Sequence, residues 1–296
     1  MTDKSANIRP ADNTGLGIVL LSLGVTLFGI VDGVSKFLVE DLSFGQIILG
    51  RYAFALPVLL LTAPPGEWRY LLRTAAPGQQ ILRGLMPLIV GGLMLLALGF
   101  MPLAEATVIL FAAPFFVLVL SGWLLGEKVD GPVWAAVAVG FLAVLLVARP
   151  GLDGLSWYAI LPAAAAFFYA LLQLISRRLG SAGEPPIVSV AWTLLVGIVV
   201  SLPFAIHDWR PPSPPQWGLL LLLGLCMGGA QLLLAKAFAM APAYVLTPFT
   251  YIQILAAIIF GIVVFGDIPG LPTTIGILMI IGAGLYVFRR SGRSTS

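Results

Sequence analysis

The sequence predicts an all-α membrane protein of ten transmembrane helices, built as two inverted five-helix repeats (5+5) with both termini cytoplasmic. Three observations carry that expectation. Hydrophobic residues are 59% of the 296-residue chain and charged residues 10%, with a mean hydropathy of +1.04; a soluble domain of that composition would leave most of its surface apolar. Apolar segments long enough to span fall at about 15–39, 44–63, 79–101, 103–125, 131–148, 154–175, 186–206, 216–240, 242–265 and 270–288. Finally, the stretch Pro102–Arg149 is written again at Pro242–Arg289. Pro102, Thr107, Gly126, Pro132, Ala143, Leu145, Val147 and Arg149 each meet an identical residue at one constant offset, namely Pro242, Thr247, Gly266, Pro272, Ala283, Leu285, Val287 and Arg289. That is the mark of an internal duplication.

In chain order, residues 1–14 are polar and read as a cytoplasmic tail. The apolar run behind them is too long for a signal-peptide core, so it is expected as a retained first span. The first repeat then occupies 15–148, a connecting loop 149–153, the second repeat 154–288, and a second cytoplasmic tail 289–296. Turn residues punctuate the connections: Pro64-Pro65-Gly66, Pro150-Gly151, Pro185-Pro186 and Pro211-Pro212-Ser213-Pro214-Pro215. At the tight boundaries Pro102 and Pro242, proline can begin a helix because its missing N–H costs nothing there. Glu67 to Thr74, with Trp68, Arg69, Tyr70 and Arg73, suits a short amphipathic piece at the interface. Cys226 is the sole cysteine, so no intrachain disulfide exists.

Charge sets the orientation. With the amino terminus inside, the inner segments hold Lys4, Arg9, Arg69, Arg73, Arg83, Lys128, Arg177, Arg178, Arg289, Arg290 and Arg293, against Lys36, Arg149 and Arg210 outside. An odd number of helices per repeat makes the second repeat enter the membrane from the opposite side. Halves facing opposite ways can exchange conformations and open a midplane site to either side, which is why inverted repeats typify secondary transporters.

The paired ten-helix layout, the Pro102-x-x-x-Ala106 start, Pro114 inside its helix and the Leu124-Leu125-Gly126-Glu127 close resemble the drug/metabolite transporter superfamily. The resemblance is to its EamA-type exporters and covers nearly the whole chain; within them the sequence is most similar to the YddG-type aromatic amino acid exporters. It implies a multi-pass inner-membrane exporter of amino acids or other small metabolites, with a cavity between the halves lined mainly by the first, third and fourth helices of each copy. The second copy departs from the pattern, since Asp267 replaces the expected glutamate and Pro248 stands six residues before the equivalent of Pro114.

Ionisable groups inside a bilayer are costly, so their few positions are informative. Asp32 and Arg51 lie nine or ten residues inward from the turn near Asp41 and Leu42, hence at one depth, about 14 Å in, on adjoining antiparallel helices. They are expected to form a buried ion pair. The alternatives are Asp32 bonded to Lys36 one turn along, or Asp32 as a titrating group or holder of a substrate amine. Lys236, about five residues from the inner end of the eighth helix, either snorkels to the interface or, among Ala235, Ala237 and Ala239, faces the cavity and attracts a substrate carboxylate.

Gly91-Gly92 in the third helix and Gly228-Gly229 in the eighth stand at nearly corresponding places in the two copies. Loosened backbone there could offer carbonyl and N–H groups to a ligand, although close helix packing accounts better for any one glycine. Pro114 and Pro248 each free a backbone carbonyl and are candidate hinges. The candidate substrate-binding set is Phe28, Gly92, Phe111, Trp192, Gly228, Gln231, Lys236, Thr247, Tyr251 and Gln253. Rings with sparse amides suit an amphipathic solute with a flat apolar side chain. Tyr169, Gln173 and Ser176 share a face of the sixth helix and are read as interhelical hydrogen-bonding groups. Gly29-x-x-x-Gly33 and Gly122-x-x-x-Gly126 fit contact within the bundle or between two copies, so monomer and homodimer both stay open.

The chain holds no G-x-x-x-x-G-K-[ST] loop, which argues against ATP hydrolysis. His207, the sole histidine, sits beside Asp208 just outside a helix and reads as solvated. No catalytic residue, metal or cofactor is expected; the partners are the lipid bilayer and an amino-acid-like small molecule, not nucleic acid. The expected function is secondary export of aromatic or other apolar amino acids across the inner membrane by alternating access. A proton-coupled exporter of cationic drugs would need Asp32 free to titrate. An intramembrane enzyme acting on lipid phosphates would need clustered acids, histidines or arginines at one membrane face. Glu127, beside Lys128 and Arg178, is a candidate for closing a cytoplasmic gate.

Overall fold

Lipid gives a backbone N–H or C=O no outside partner, so a chain this apolar satisfies its backbone within helices. The structure, a computed structural model, describes residues 14–62, 68–125, 131–148, 157–240 and 246–291. Its α-helices are α1 (Thr14–Leu38), α2 (Phe44–Ala53), α3 (Leu56–Thr62), α4 (Pro77–Leu98), α5 (Leu103–Leu110), α6 (Ala113–Leu125), α7 (Gly131–Ala148), α8 (Ile160–Ser181), α9 (Pro186–His207), α10 (Pro214–Met240), α11 (Ile252–Phe260) and α12 (Leu271–Ser291). Among the described residues, seven helical segments are long and apolar enough to cross a membrane. Shorter apolar helices occur at Trp134–Ala148, Phe249–Phe265 and Leu271–Tyr286.

Two of the breaks fall at prolines, although α4 and α9 continue through Pro87 and Pro203. Pro57 has no N–H for the Ala53 carbonyl, and α2 gives way to α3 at Phe54–Ala55; Pro114 likewise leaves the Leu110 carbonyl, and α5 gives way to α6 at Phe111–Ala112. In the second half the irregularity takes another form, a 3₁₀ turn at Thr247–Tyr251 before α11 and a π turn at Gly261–Phe265 after it. That segment closes on Gly266, whose φ of +70° only glycine adopts cheaply, and its N–H reaches the Ile262 carbonyl at 3.1 Å. The matching Gly126 and Glu127 lie outside the described residues.

The sixth apolar segment is displaced from its expected 154–175 to Ile160–Ser181. Hydropathy reports contact with lipid, whereas the hydrogen-bond ladder continues through Arg177 and Arg178. It stops at Gly183, φ +83°, where the Glu184 N–H meets the Leu179 carbonyl at 3.1 Å. Of the expected amphipathic piece, Trp68–Tyr70 forms one 3₁₀ turn, with the Arg73 guanidinium 4.7 Å from the centre of the Tyr70 ring.

The helices pair across the two halves. The first helix of one half packs on the third of the other, α1 on α10 and α8 on α4, while α2 meets α9 and α7 meets α12. The ends of α1 and α4 share one cavity, and Phe100 just beyond α4 stacks on Tyr158 just before α8, with ring centroids 4.0 Å apart. Helix α1 therefore ends at the face where α8 begins, and the leading helices of the halves run in opposite senses. That face is called outer here, following the charge bias. Trp157, Trp209 and Trp217 sit there largely exposed, and Trp68 near the opposite, inner face, as interface anchors do.

Small residues let the halves touch. A side chain at Gly24 would meet Leu234 of α10, one at Gly29 would lie 2.8 Å from the Ala256 Cβ, and one at Gly33 would strike the Phe260 ring. The Gly29-x-x-x-Gly33 strip is thus spent inside the bundle, on α11. On α10, Gly224 and Gly228 receive Phe54 and Val58 in the same way. Gly33→Leu is expected to cost about 1–3 kcal/mol by overpacking, read as a lowered unfolding temperature in detergent. Gly15→Leu, at a site with nothing within 4 Å, should leave that temperature unchanged.

Candidate functional site

The seam between the halves is where polar side chains can hide from lipid. On α1, Val25, Phe28, Asp32 and Lys36 follow at one-turn spacing, between the glycine that meets α10 and those that meet α11. Arg51 Nη2 lies 3.6 Å from Asp32 Oδ1 and donates to Ser35 Oγ at 2.6 Å. Arg51 is 5% exposed, its Nη1 rests over Gly91, and its Nε has no acceptor among the described residues. The depth of this cluster is set by the α1–α2 turn. There Ser43 Oγ accepts the Gln46 N–H while the Gln46 side chain accepts the Ser43 N–H. Gln46 also exchanges two hydrogen bonds with the Arg210 backbone, which fastens α2 to the α9–α10 connection.

Lys36 turns away from Asp32. Its Nζ donates to Asp267 Oδ2 at 2.5 Å and lies 4.4 Å from the centre of the Phe265 ring. The pair joins the end of α1 to the close of the α11 span, one residue from each half, and lines an outer cavity of about 560 Å³ with Glu40, Leu95, Phe100 and Met101. Thr273 Oγ1 donates to Glu105 Oε1 at 3.0 Å, a second outer bond between halves. Neither Lys36 nor Asp267 stands out by residue type alone. The available signals were a lysine inside an apolar span and an acid fixed behind Gly266.

At the inner face, Arg83 of α4 donates to Ser176 Oγ of α8 at 2.9 Å, and to the Ser189 carbonyl and Thr193 Oγ1 of α9 at 2.8 and 2.7 Å. Charge counting had made Arg83 only a topology marker, yet it ties three helices. Ser176 makes its interhelical bond, whereas Tyr169 and Gln173 are exposed. In the α8–α9 loop, Glu184 accepts the Ala75 N–H at 2.9 Å and the Gln80 side chain at 3.2 Å. That backbone N–H first, then the Thr74 hydroxyl and the Gln80 amide, hold its carboxyl below the usual glutamate range.

The glycine pairs do not loosen their helices. Helices α4 and α10 run unbroken through them, Gly92 is covered by the Phe44 ring and Gly228 by Val58, so these positions pack neighbours closely. Lys236 is exposed on the stripe of α10 that also carries exposed Leu222 and Leu225, the outward face of that helix. Tyr251 is buried with its hydroxyl against Gly284 of α12 and its ring 5.5 Å from Phe111. Phe28 is partly buried against the α1–α10 cluster. Gln253 shares its face of the span with buried Ala257, and Gln231 shares one of α10 with buried Met227. Trp192 is half-buried with its indole N–H lacking an acceptor among the described residues. The side chains of Thr247 and Pro248, and the whole of Glu127 and Lys128, lie outside what the structure describes.

Two stripes record the shape of the seam. Along α8, Pro162 and Ala166 are buried, Tyr169 is 39% exposed and Gln173 is exposed; along α10, Leu220 and Met227 are buried and Phe238 is 47% exposed. Both helices run from the outer to the inner face, so burial along these two stripes falls toward the inner end. The described cavity lies at the outer end and not at the glycine pairs. Arg51→Leu strands the Asp32 carboxylate and should destabilise by about 3–5 kcal/mol, read by thermal unfolding in detergent. Adding Asp32→Asn should recover most of that loss.

The chain has known relatives along its length. The EamA-like transporter family model matches it twice, at residues 15–149 and 156–289. It is 28% identical to the S-adenosylmethionine uptake transporter of Rickettsia conorii over 93% of this chain and 92% of that one. It is 31% identical to the riboflavin transporter of Vibrio cholerae over 84% and 85%, and 27% identical to the pseudopaline exporter of Pseudomonas aeruginosa over 92% and 96%. A crystal structure of another protein matches 96% of this chain and 98% of its own with a TM-score of 0.64 at 20% identity, which shows the fold alone. With one match in each half of a helical membrane fold, and relatives that are transporters and not enzymes, the chain belongs to the EamA-like transporter family.

Proposed function

We propose that this protein is a secondary exporter of the inner membrane that moves amino-acid-like metabolites with a flat apolar side chain, aromatic amino acids first, by alternating access. The observation that carries this reading is the uneven seam. Ion-paired and hydrogen-bonded ties join the halves at the outer end, beside the outer cavity, while burial is lost along α8 and α10 toward the inner face. A carrier has such a shape in one of its two states, and exchanging the roles of inverted halves gives the other. In this reading the seven long apolar helices and the three shorter ones serve as ten spans, with both termini in the cytoplasm and a repeat on either side of the 149–153 loop.

The solute class follows from the seam's chemistry. Phe28, Phe111 and Trp192 offer ring area, and the Trp192 and Arg51 N–H groups that lack an acceptor among the described residues offer directional contacts to a polar end. Relatives named for riboflavin and S-adenosylmethionine move solutes with planar rings, and the latter solute also carries an amino acid end. This supports a ring-bearing, amino-acid-like cargo and the YddG-type placement. Relatives are named for both uptake and export, so the solute gradient sets the direction. Asp32, held by Arg51, is a positioning partner here and not a proton carrier.

Orientation can be read with single cysteines in a Cys226→Ser background. An impermeant maleimide should label Asp208→Cys in intact cells and Glu184→Cys only after lysis; the opposite pattern would reverse the assigned sides. For transport, proteoliposomes should show saturable phenylalanine counterflow that a pH gradient leaves unchanged, with Asp32→Asn giving the same ratio with and without the gradient. Flux that rises severalfold with the gradient in the parent and loses that rise in Asp32→Asn would replace this reading with proton coupling.

A further inference from the structure

We propose that the outer cavity is a second, release-side ligand site for α-amino acid zwitterions, and that the solute itself opens the Lys36–Asp267 tie by taking the place of each partner. The inference rests on the amino-acid reading above and adds to it a site and a selectivity rule. The cavity, about 560 Å³, is of a size that encloses a small metabolite. Its walls are apolar at Leu95, Leu98 and Met101, and its charges are one base, Lys36, and two acids, Glu40 and Asp267.

The physical reason is the cost of separating opposite charges at a membrane's edge. Lys36 and Asp267 come from different halves, so any movement that parts α1 from the α11 span at the outer face must break their bond. Breaking it alone leaves an ammonium and a carboxylate unpaired in a mostly apolar cleft, which is unfavourable. A zwitterion removes that cost. Its carboxylate pairs with Lys36, its ammonium pairs with Asp267, and neither protein charge is stranded. Glu40, in the same wall, tips the lining toward the ammonium, and Phe265 holds Lys36 in place from the other side. A ligand shifts an equilibrium only by its preference for one state, and a solute with both charges prefers the parted state where a singly charged analogue does not.

The test uses the full chain in proteoliposomes, with phenylalanine, phenylalaninamide and N-acetylphenylalanine as competitors of phenylalanine counterflow. In the parent, phenylalanine should compete at least tenfold better than either analogue. Lys36→Met should raise the phenylalanine KM at least tenfold and bring phenylalaninamide level with phenylalanine as a competitor. Asp267→Asn should do the same for N-acetylphenylalanine. The double exchange Lys36→Asp with Asp267→Lys should return KM to within threefold of the parent, which also guards against variants that merely fold poorly. If the ranking of the three competitors is the same in the parent and both single variants, the pair is a structural tie alone and the proposal fails while the transport reading stands. Absence of saturable flux in the parent would remove both.

Discussion

Two helices in lipid gain no hydrophobic free energy by touching, so what holds the halves of this protein together is backbone brought close enough for dispersion contact along a strip of small residues. Helix α1 is where that constraint is most severe. Gly24 faces α10, Gly29 and Gly33 face α11, and both partners belong to the other half. Phe28, Asp32 and Lys36 project between these two contact lines, so the residues that bear charge are positioned by the residues that have no side chain.

Close packing of this kind is compatible with movement because it contains few directional bonds. The directional bonds are placed at the ends of the seam instead. Lys36–Asp267, Gln46–Arg210 and Glu105–Thr273 lie at the outer face, and Arg83 with Ser176, Ser189 and Thr193 lies toward the inner one. Between them the Asp32–Arg51–Ser35 cluster stays within the first half, where it stiffens the α1–α2 hairpin without locking one half to the other. Helices α4, α8, α9 and α10 run unbroken, whereas the α2–α3, α5–α6 and α11 segments carry breaks, a 3₁₀ turn or a π turn. Missing ladder bonds lower the cost of changing the angle of these interrupted segments.

The alternatives separate on the same physics. Proton coupling through Asp32 asks for a carboxyl that gains and loses its charge during the cycle, and each neutral interval would leave the buried Arg51, 3.6 Å away, without its counter-charge. A receptor for a solute amine would need Asp32 to give up that partner. Lys36 and Asp267 are better placed for exchange, because they face a cavity and each is already satisfied by a group that a zwitterion can imitate.

By itself the sequence determined what one-dimensional chemistry can specify. Composition put the chain in lipid, the repeat from Pro102 to Arg289 exposed the duplication, and Pro114 marked a break in a helix; the same rule points to Pro57, but it points equally to Pro87 and Pro203, where the helices continue. Depth counting set Asp32 beside Arg51, because rise per residue is the same in every helix. Tertiary structure decided whatever depends on which helix faces which. The glycine pairs became packing surfaces because Phe44 and Val58 arrive there from α2 and α3. Lys236 came to lie on the exposed stripe of α10 because neighbours occupy the other faces of that helix. Lys36 found Asp267 instead of Asp32 because α1 and α11, separated by most of the chain, run side by side. A spacing rule relates residues on one helix or on one hairpin, and it carries no information about the partner that packing brings from the opposite half.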